Sequence, residues 1–147
     1  MAQQYLLPAG RVLLSLIFVL SGISKIMDWP ETVQFMQTQG LPMVPLLLGA
    51  AIVVEILGGL SVLIGWHARW GAWLLFLYLI PVTLILHNFW AFTGAEQQMQ
   101  LVNFLKNLAI MGGLLLVAAY DGAAWVSVRE TEAVSDAAAP QRRRAAG

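Results

Sequence analysis

Four stretches of almost uninterrupted apolar residues run along the chain, over about 9–26, 44–64, 68–87 and 101–120, with short polar breaks between them. A bilayer core of about 30 Å takes roughly 20 residues at 1.5 Å each. Within lipid, only a helix satisfies its own backbone over such a span. The pattern therefore predicts an all-α fold, a four-helix transmembrane bundle. The first run is long, Ser24 and Lys25 follow it without a small-residue cleavage signature, and three comparable runs succeed it. It reads as a retained helix, not a signal peptide.

The breaks carry structure of their own. Asp28-Trp29-Pro30-Glu31 has the form of a helix N-cap, with an acidic residue three positions on and Pro in the first turn. Trp29, Val33 and Met36 then recur at helical spacing, with Phe35 beside them, before Gly40-Leu41-Pro42 turns the chain. This predicts a short interfacial helix in the first outer loop. The third loop, Phe89 to Gln100, is polar and rich in Gln, with Trp90 and Phe92 placed for the headgroup region. Residues 1–122 thus form one membrane domain, and the polar, then Ala- and Arg-rich segment 123–147 reads as a disordered cytoplasmic tail.

Cationic residues set the orientation, because cytoplasmic flanks accumulate Lys and Arg. Arg11, Arg69, Arg129 and Arg142 to Arg144 all fall on the side of the two termini and the short second loop; only Lys25 and Lys106 lie toward the other side. Both termini are expected in the cytoplasm. Composition agrees with a chain solvated mostly by lipid: 59% of residues are hydrophobic and 11% charged, against about a quarter charged in soluble proteins. With zero net charge and no basic stripe, nucleic-acid binding has no electrostatic basis. The absence of cysteine excludes a thiolate nucleophile, an iron–sulfur cluster and a Cys-bearing zinc site within the chain. Two axial histidines for a haem are excluded as well, because His67 and His87 stand at opposite ends of one helix, about 30 Å apart. No metal site is expected.

Ionisable and amide side chains within the apolar runs are costly in lipid, so each is a candidate site residue. They are Glu55, near the middle of the second run; Lys25, closing the first; His87, closing the third; and Asn103, Lys106 and Asn107, opening the fourth. Ala51, Glu55, Gly58, Ser61 and Gly65 share one helical stripe, and small residues mark the face where membrane helices approach closely. Ser15, Phe18, Gly22 and Lys25 share another, as do Asn103, Lys106, Ile110 and Gly113, and Thr83 with His87. Side chains tilt toward the N-terminus of their own helix. With helices of alternating direction, Lys25 and His87 lean inward while Glu55 and Lys106 lean outward, toward a common level. A polar pocket is expected in the outer half, with Glu55 paired to Lys106 or Lys25 and with His87, Asn103 and Asn107 supplying hydrogen bonds. Each has a plainer role open to it: Lys25 as a snorkelling residue, His87 as an interfacial one, the asparagines as interhelical glue.

Gly10-Arg11 opening the first helix, Ser21-Gly22-Ile23-Ser24-Lys25 closing it, Glu55-Ile56-Leu57-Gly58-Gly59 with Leu63-Ile64-Gly65 in the second, and Asn103 through Gly113 in the fourth together resemble the DoxX family of small bacterial inner-membrane proteins. The resemblance extends from about Gly10 to Gly122. It implies a multi-pass protein of the bacterial inner membrane and a quinone-linked redox role, as a quinone-binding or accessory subunit of an oxidoreductase complex and not a catalyst alone. It also implies redox-protein partners within the bilayer. No covalently held cofactor is expected; a bound quinone is the group implied, with Glu55, Lys106 and His87 as its hydrogen-bonding residues. Two other functions fit the same residues: a scaffold or assembly factor contacting partners through the outer helix and the Gln-rich loop, and a small-solute or proton-coupled transporter, which at this size would work as a homo-oligomer. A cytoplasmic reporter fused after Gly147 is expected to be active, and a periplasmic one fused there inactive; activity of the periplasmic reporter alone would invert the topology.

Overall fold

The computed structural model describes the backbone of residues 3–145 and the side chains of residues 6–120. All regular structure there is helical: α1 (Gln3–Met27), α2 (Trp29–Thr38), α3 (Val44–Ile64), α4 (Ala68–Leu86), one 3-10 turn at Phe89–Ala91, and α5 (Gly94–Ala145). Four stretches are long and apolar enough to cross a membrane: Leu6–Met27, Val44–Ile64, Ala68–Ala91 and Gly94–Tyr120. The four-helix expectation thus holds, with a short helix between the first two spans. The segment expected as a tail, 123–147, lies outside the residues whose side chains are described.

Two boundaries differ from the hydrophobic pattern. Helix α1 starts at Gln3, more than a turn before residue 9, and carries Pro8 inside it. Helix α5 starts at Gly94, not at Leu101, taking in the polar Glu96-Gln97-Gln98 run that was expected as loop. Those residues are good helix formers, and Glu96 in the first turn complements the helix dipole.

Helix α3 lies against α1, α2 and α4, while α5 packs on α4 and meets α1 more lightly. Glycines set these approaches, as expected where packing rather than apolar burial drives association. A Cβ at Gly22 would lie 2.7 Å from Ile56, and one at Gly59 3.0 Å from Val19; one at Gly58 would lie 2.8 Å from Leu75. The α3–α4 turn is closed by the Ser61 hydroxyl, within 2.8 Å of the Trp66 carbonyl and 3.2 Å of that of His67. Gly65 sits in this turn at φ +82, with the Arg11 guanidinium where a Cβ would project. The larger core joins Phe18, Val62, Leu75, Leu79, Leu114 and Val117 across four helices.

The same glycine contacts fix an antiparallel register in which the end of α1 falls beside about Ala50, leaving the first turns of α3 uncovered. Helix α2 and the turn after it cover them, packing Val33 and Met36 of the helix and Leu41 beyond it on Val44, Leu48 and Ile52. Its apolar stripe therefore meets α3, while Trp29 and Phe35 remain exposed. The expected cap is not formed: Asp28 makes no side-chain cap bond, and its carboxylate accepts instead from the Ser24 hydroxyl at 3.0 Å.

Close α3–α4 packing is tested at Gly71, where an added Cβ would lie 2.8 Å from Ser61 Cβ and 3.1 Å from the Gly58 carbonyl. Gly71→Ala is expected to lower stability by about 1–3 kcal/mol through overpacking. Gly112→Ala, with open space around it, should leave stability unchanged or slightly raised. Thermal unfolding in mild detergent distinguishes the two.

Candidate functional site

Glu55 stands about 16 Å from the start of α3 and about 14 Å from its end, at 1.5 Å per residue. It is buried, at 4% exposure. Lys25 reaches it from α1: the ammonium lies 3.0 Å from each carboxylate oxygen and also donates to the Ser21 hydroxyl one turn earlier on its own helix. From α4, the Tyr78 hydroxyl donates to Glu55 Oε1 at 2.8 Å. Three helices thus converge on one carboxylate. Lys25 is not placed to snorkel outward, because its helix ends opposite the body of α3 and its side chain turns to Glu55.

The partner named first from sequence, Lys106, does not reach Glu55. Its ammonium donates to Asn103 at 3.0 Å on an exposed face of α5. Helix order is the reason: α4 stands between α3 and α5, and agreement in depth does not bring side chains together across an intervening helix. The face of α5 that meets its neighbours carries Gln100, Asn107, Leu114, Val117 and Ala118, all buried, and lies beside the stripe assigned from sequence. Asn107 Nδ2 donates to Thr83 Oγ1 at 3.1 Å. His87 Nδ1 lies 2.9 Å from the Gln100 side-chain oxygen. Of the six candidate residues, then, Lys25 and Glu55 meet; Asn107 and His87 each bond across the α4–α5 seam, and Lys106 and Asn103 bond to one another.

Tyr78 and Ser21 were not among the candidates. A tyrosine in the middle of an apolar run is itself a signal, because its ring suits the interface and its hydroxyl, once buried, requires a partner. It also shares the stripe of Gly71 and Leu75, which faces α3. Ser21 could have been found four residues before Lys25 on the same helical face.

Beside the ion pair lies a groove of about 260 Å³, bounded by α3 and α4 and reached by Met36 of α2 and by Leu41. Leu47, Leu48, Ala51, Val54, Val82 and Ile85 make most of its wall, and Lys25 and Tyr78 are its polar lining residues. An apolar cavity of about 150 Å³ takes a benzene ring, so this one admits a ring with substituents. Pro81 also lines it. Among the described residues no three His, Asp or Glu side chains gather as a metal site.

The DoxX family model matches residues 6–88, which hold Lys25, Glu55 and Tyr78 and exclude Asn103, Lys106 and Asn107. The chain is 34% identical over 117 residues to the inner membrane protein YphA of Escherichia coli, covering 80% of this chain and 84% of that protein. It is 33% identical over 111 residues to the inner membrane protein YqjF of the same organism, covering 74% and 78%. A match of 29% over 133 residues to the ER-derived vesicles protein ERV29 of Saccharomyces cerevisiae takes in 90% of this chain but 36% of that one. No solved structure matches.

Removing one partner of a buried pair strands the other charge. Glu55→Leu is expected to lower stability by about 3 kcal/mol, the low end of that range because Lys25 is only partly enclosed. The double variant Lys25→Met/Glu55→Leu should recover most of the loss, as read from unfolding midpoints in detergent.

Proposed function

The chain belongs to the DoxX family, a multi-pass inner-membrane protein, and we propose that it binds a lipophilic quinoid molecule in the α3–α4 groove as an accessory subunit of a membrane oxidoreductase complex. The observation that carries this reading is the position of the Lys25–Glu55–Tyr78 cluster at the edge of a ring-sized apolar groove at membrane depth. A lipophilic ligand with polar ring oxygens needs both parts: apolar walls for the ring and tail, and a few fixed polar groups to orient the head.

When bound, a quinoid ligand supplies two-electron chemistry coupled to protons. The chain's own residues orient its head and hold protons beside it. Tyr78 lies between groove and carboxylate, and Glu55 is the acceptor to which a proton on Tyr78 Oη points. The Lys25 ammonium keeps a negative charge tolerable on Glu55 at this depth. Electrons enter or leave through partner proteins within the bilayer. With both termini cytoplasmic, the orientation proposed from the distribution of Arg, the groove occupies the outer half of the bundle.

The test is purification with native neighbours in mild detergent, solvent extraction and chromatography for quinones. The wild type and Lys106→Met are expected to carry quinone, since Lys106 stands apart from the groove. Lys25→Met and Glu55→Gln should retain severalfold less. Equal background amounts in all four would refute the reading.

A further inference from the structure

The two polar residues of the groove wall meet at one atom. Lys25 Nζ lies 3.0 Å from Glu55 Oε1 and Tyr78 Oη 2.8 Å from it, so both stand in hydrogen-bond contact with a single oxygen. The remaining lining side chains are Met, Leu, Ala, Val, Pro and Ile, with no N–H or O–H to give. Backbone N–H groups there are engaged within the helices, and that of Leu41 donates to the Met36 carbonyl at 3.4 Å. Polarity is confined to one spot on an otherwise apolar wall.

Donor counting gives the two residues different duties. A lysine ammonium has three N–H groups. One goes to Ser21 Oγ. A nitrogen 3.0 Å from both oxygens of one carboxylate presents them a single bifurcated N–H. Ser21 and Glu55 are the hydrogen-bond partners of Lys25 among the described residues. A third N–H is therefore left at the groove wall, on a side chain that keeps 23% exposure. The one proton of Tyr78 is directed to Glu55. Lys25 is thus the wall's available donor, and Ser21 and Glu55 hold its ammonium in place.

From this count we infer, resting on the quinoid reading above, that the groove anchors its ligand through a single ring carbonyl, which accepts from Lys25. The two carbonyls of a para-quinone point in opposite directions. With one on the ammonium, the other faces apolar wall or the open side of the groove and gains no donor from the chain. The ligand class is a flat lipophilic ring with one ketone oxygen, and a second oxygen across the ring adds nothing to recognition. Lys25 sets this preference, because a hydrogen bond from an ionised donor is roughly twice as strong as a neutral one.

The experiment measures equilibrium binding to the full chain in phosphatidylcholine nanodiscs, with empty nanodiscs as the reference for partition into lipid. Ligands of one shape are compared: a decyl-bearing menadione, the two decyl-methylchromones in which a ring ether oxygen replaces either carbonyl, and the corresponding decyl-methylnaphthalene, which has no oxygen. The tighter chromone is expected within about threefold of the menadione, and the naphthalene about tenfold or more weaker, the loss of one hydrogen bond to a charged donor. The variant Lys25→Met/Glu55→Gln removes the ammonium, strands no charge and keeps an acceptor for Tyr78. In it the menadione and the naphthalene should converge. If both chromones bind as weakly as the naphthalene, or if the gap survives in the double variant, the single-carbonyl anchor is overturned and the quinoid site stands. A wild type that binds the menadione no better than the naphthalene overturns both.

Discussion

One carboxylate near the middle of the membrane organises the bundle. Glu55 cannot be left alone in a low-dielectric interior, and its partners come from different helices: Lys25 from α1 and Tyr78 from α4. For both to reach it, α1 and α4 must flank α3 closely, and that is where glycines stand. Gly22 and Gly59 admit the α1–α3 contact, and Gly58 and Gly71 the α3–α4 contact. The small residues and the ion pair are two parts of one constraint. The backbones approach closely, and the charges consequently come within hydrogen-bond distance at one level.

Meeting this requirement shifts α1 along α3. With Lys25 opposite Glu55, α1 ends while α3 still has turns to run, and its exposed beginning must be covered by another segment. Helix α2 does so with Val33 and Met36, joined by Leu41 from the turn that follows. The groove lies where this cover, α3 and α4 meet, so its presence follows from the same register that forms the ion pair. The polar cluster borders it for that reason: Lys25 is the last charged side chain of α1 before the chain passes to α2.

Much of this was legible in the sequence, and what was not has identifiable causes. The length of the apolar runs gave the spans, and the small-residue stripes correctly turned Glu55 and the Ser15–Phe18–Gly22–Lys25 face into the bundle, where Ser15, Phe18 and Gly22 are buried. Periodicity reports which way a residue faces on its own helix and roughly how deep it lies. It does not report which helices are neighbours, so Lys106 was preferred to Lys25 as the partner of Glu55 although α4 separates α5 from it. The start of α5 was missed because apolar content marks membrane, not helix, and the Glu96–Gln98 run is polar but strongly helical. Tyr78 was passed over because its aromatic ring suited an apolar run, when the hydroxyl was the part that needed an account.

A midplane ion pair is a poor device for holding helices together if that is its whole purpose. Glycine-mediated packing already joins α1, α3 and α4, and replacing a buried pair with apolar residues of similar volume is often neutral or stabilising. What an apolar replacement cannot do is fix a phenolic hydroxyl in one orientation at the wall of a cavity. Glu55 holds the Tyr78 proton toward the protein, and Lys25 lets Glu55 do so as a carboxylate. The pair therefore fixes the orientation of the hydroxyl at the groove wall, a consequence that packing alone would not supply.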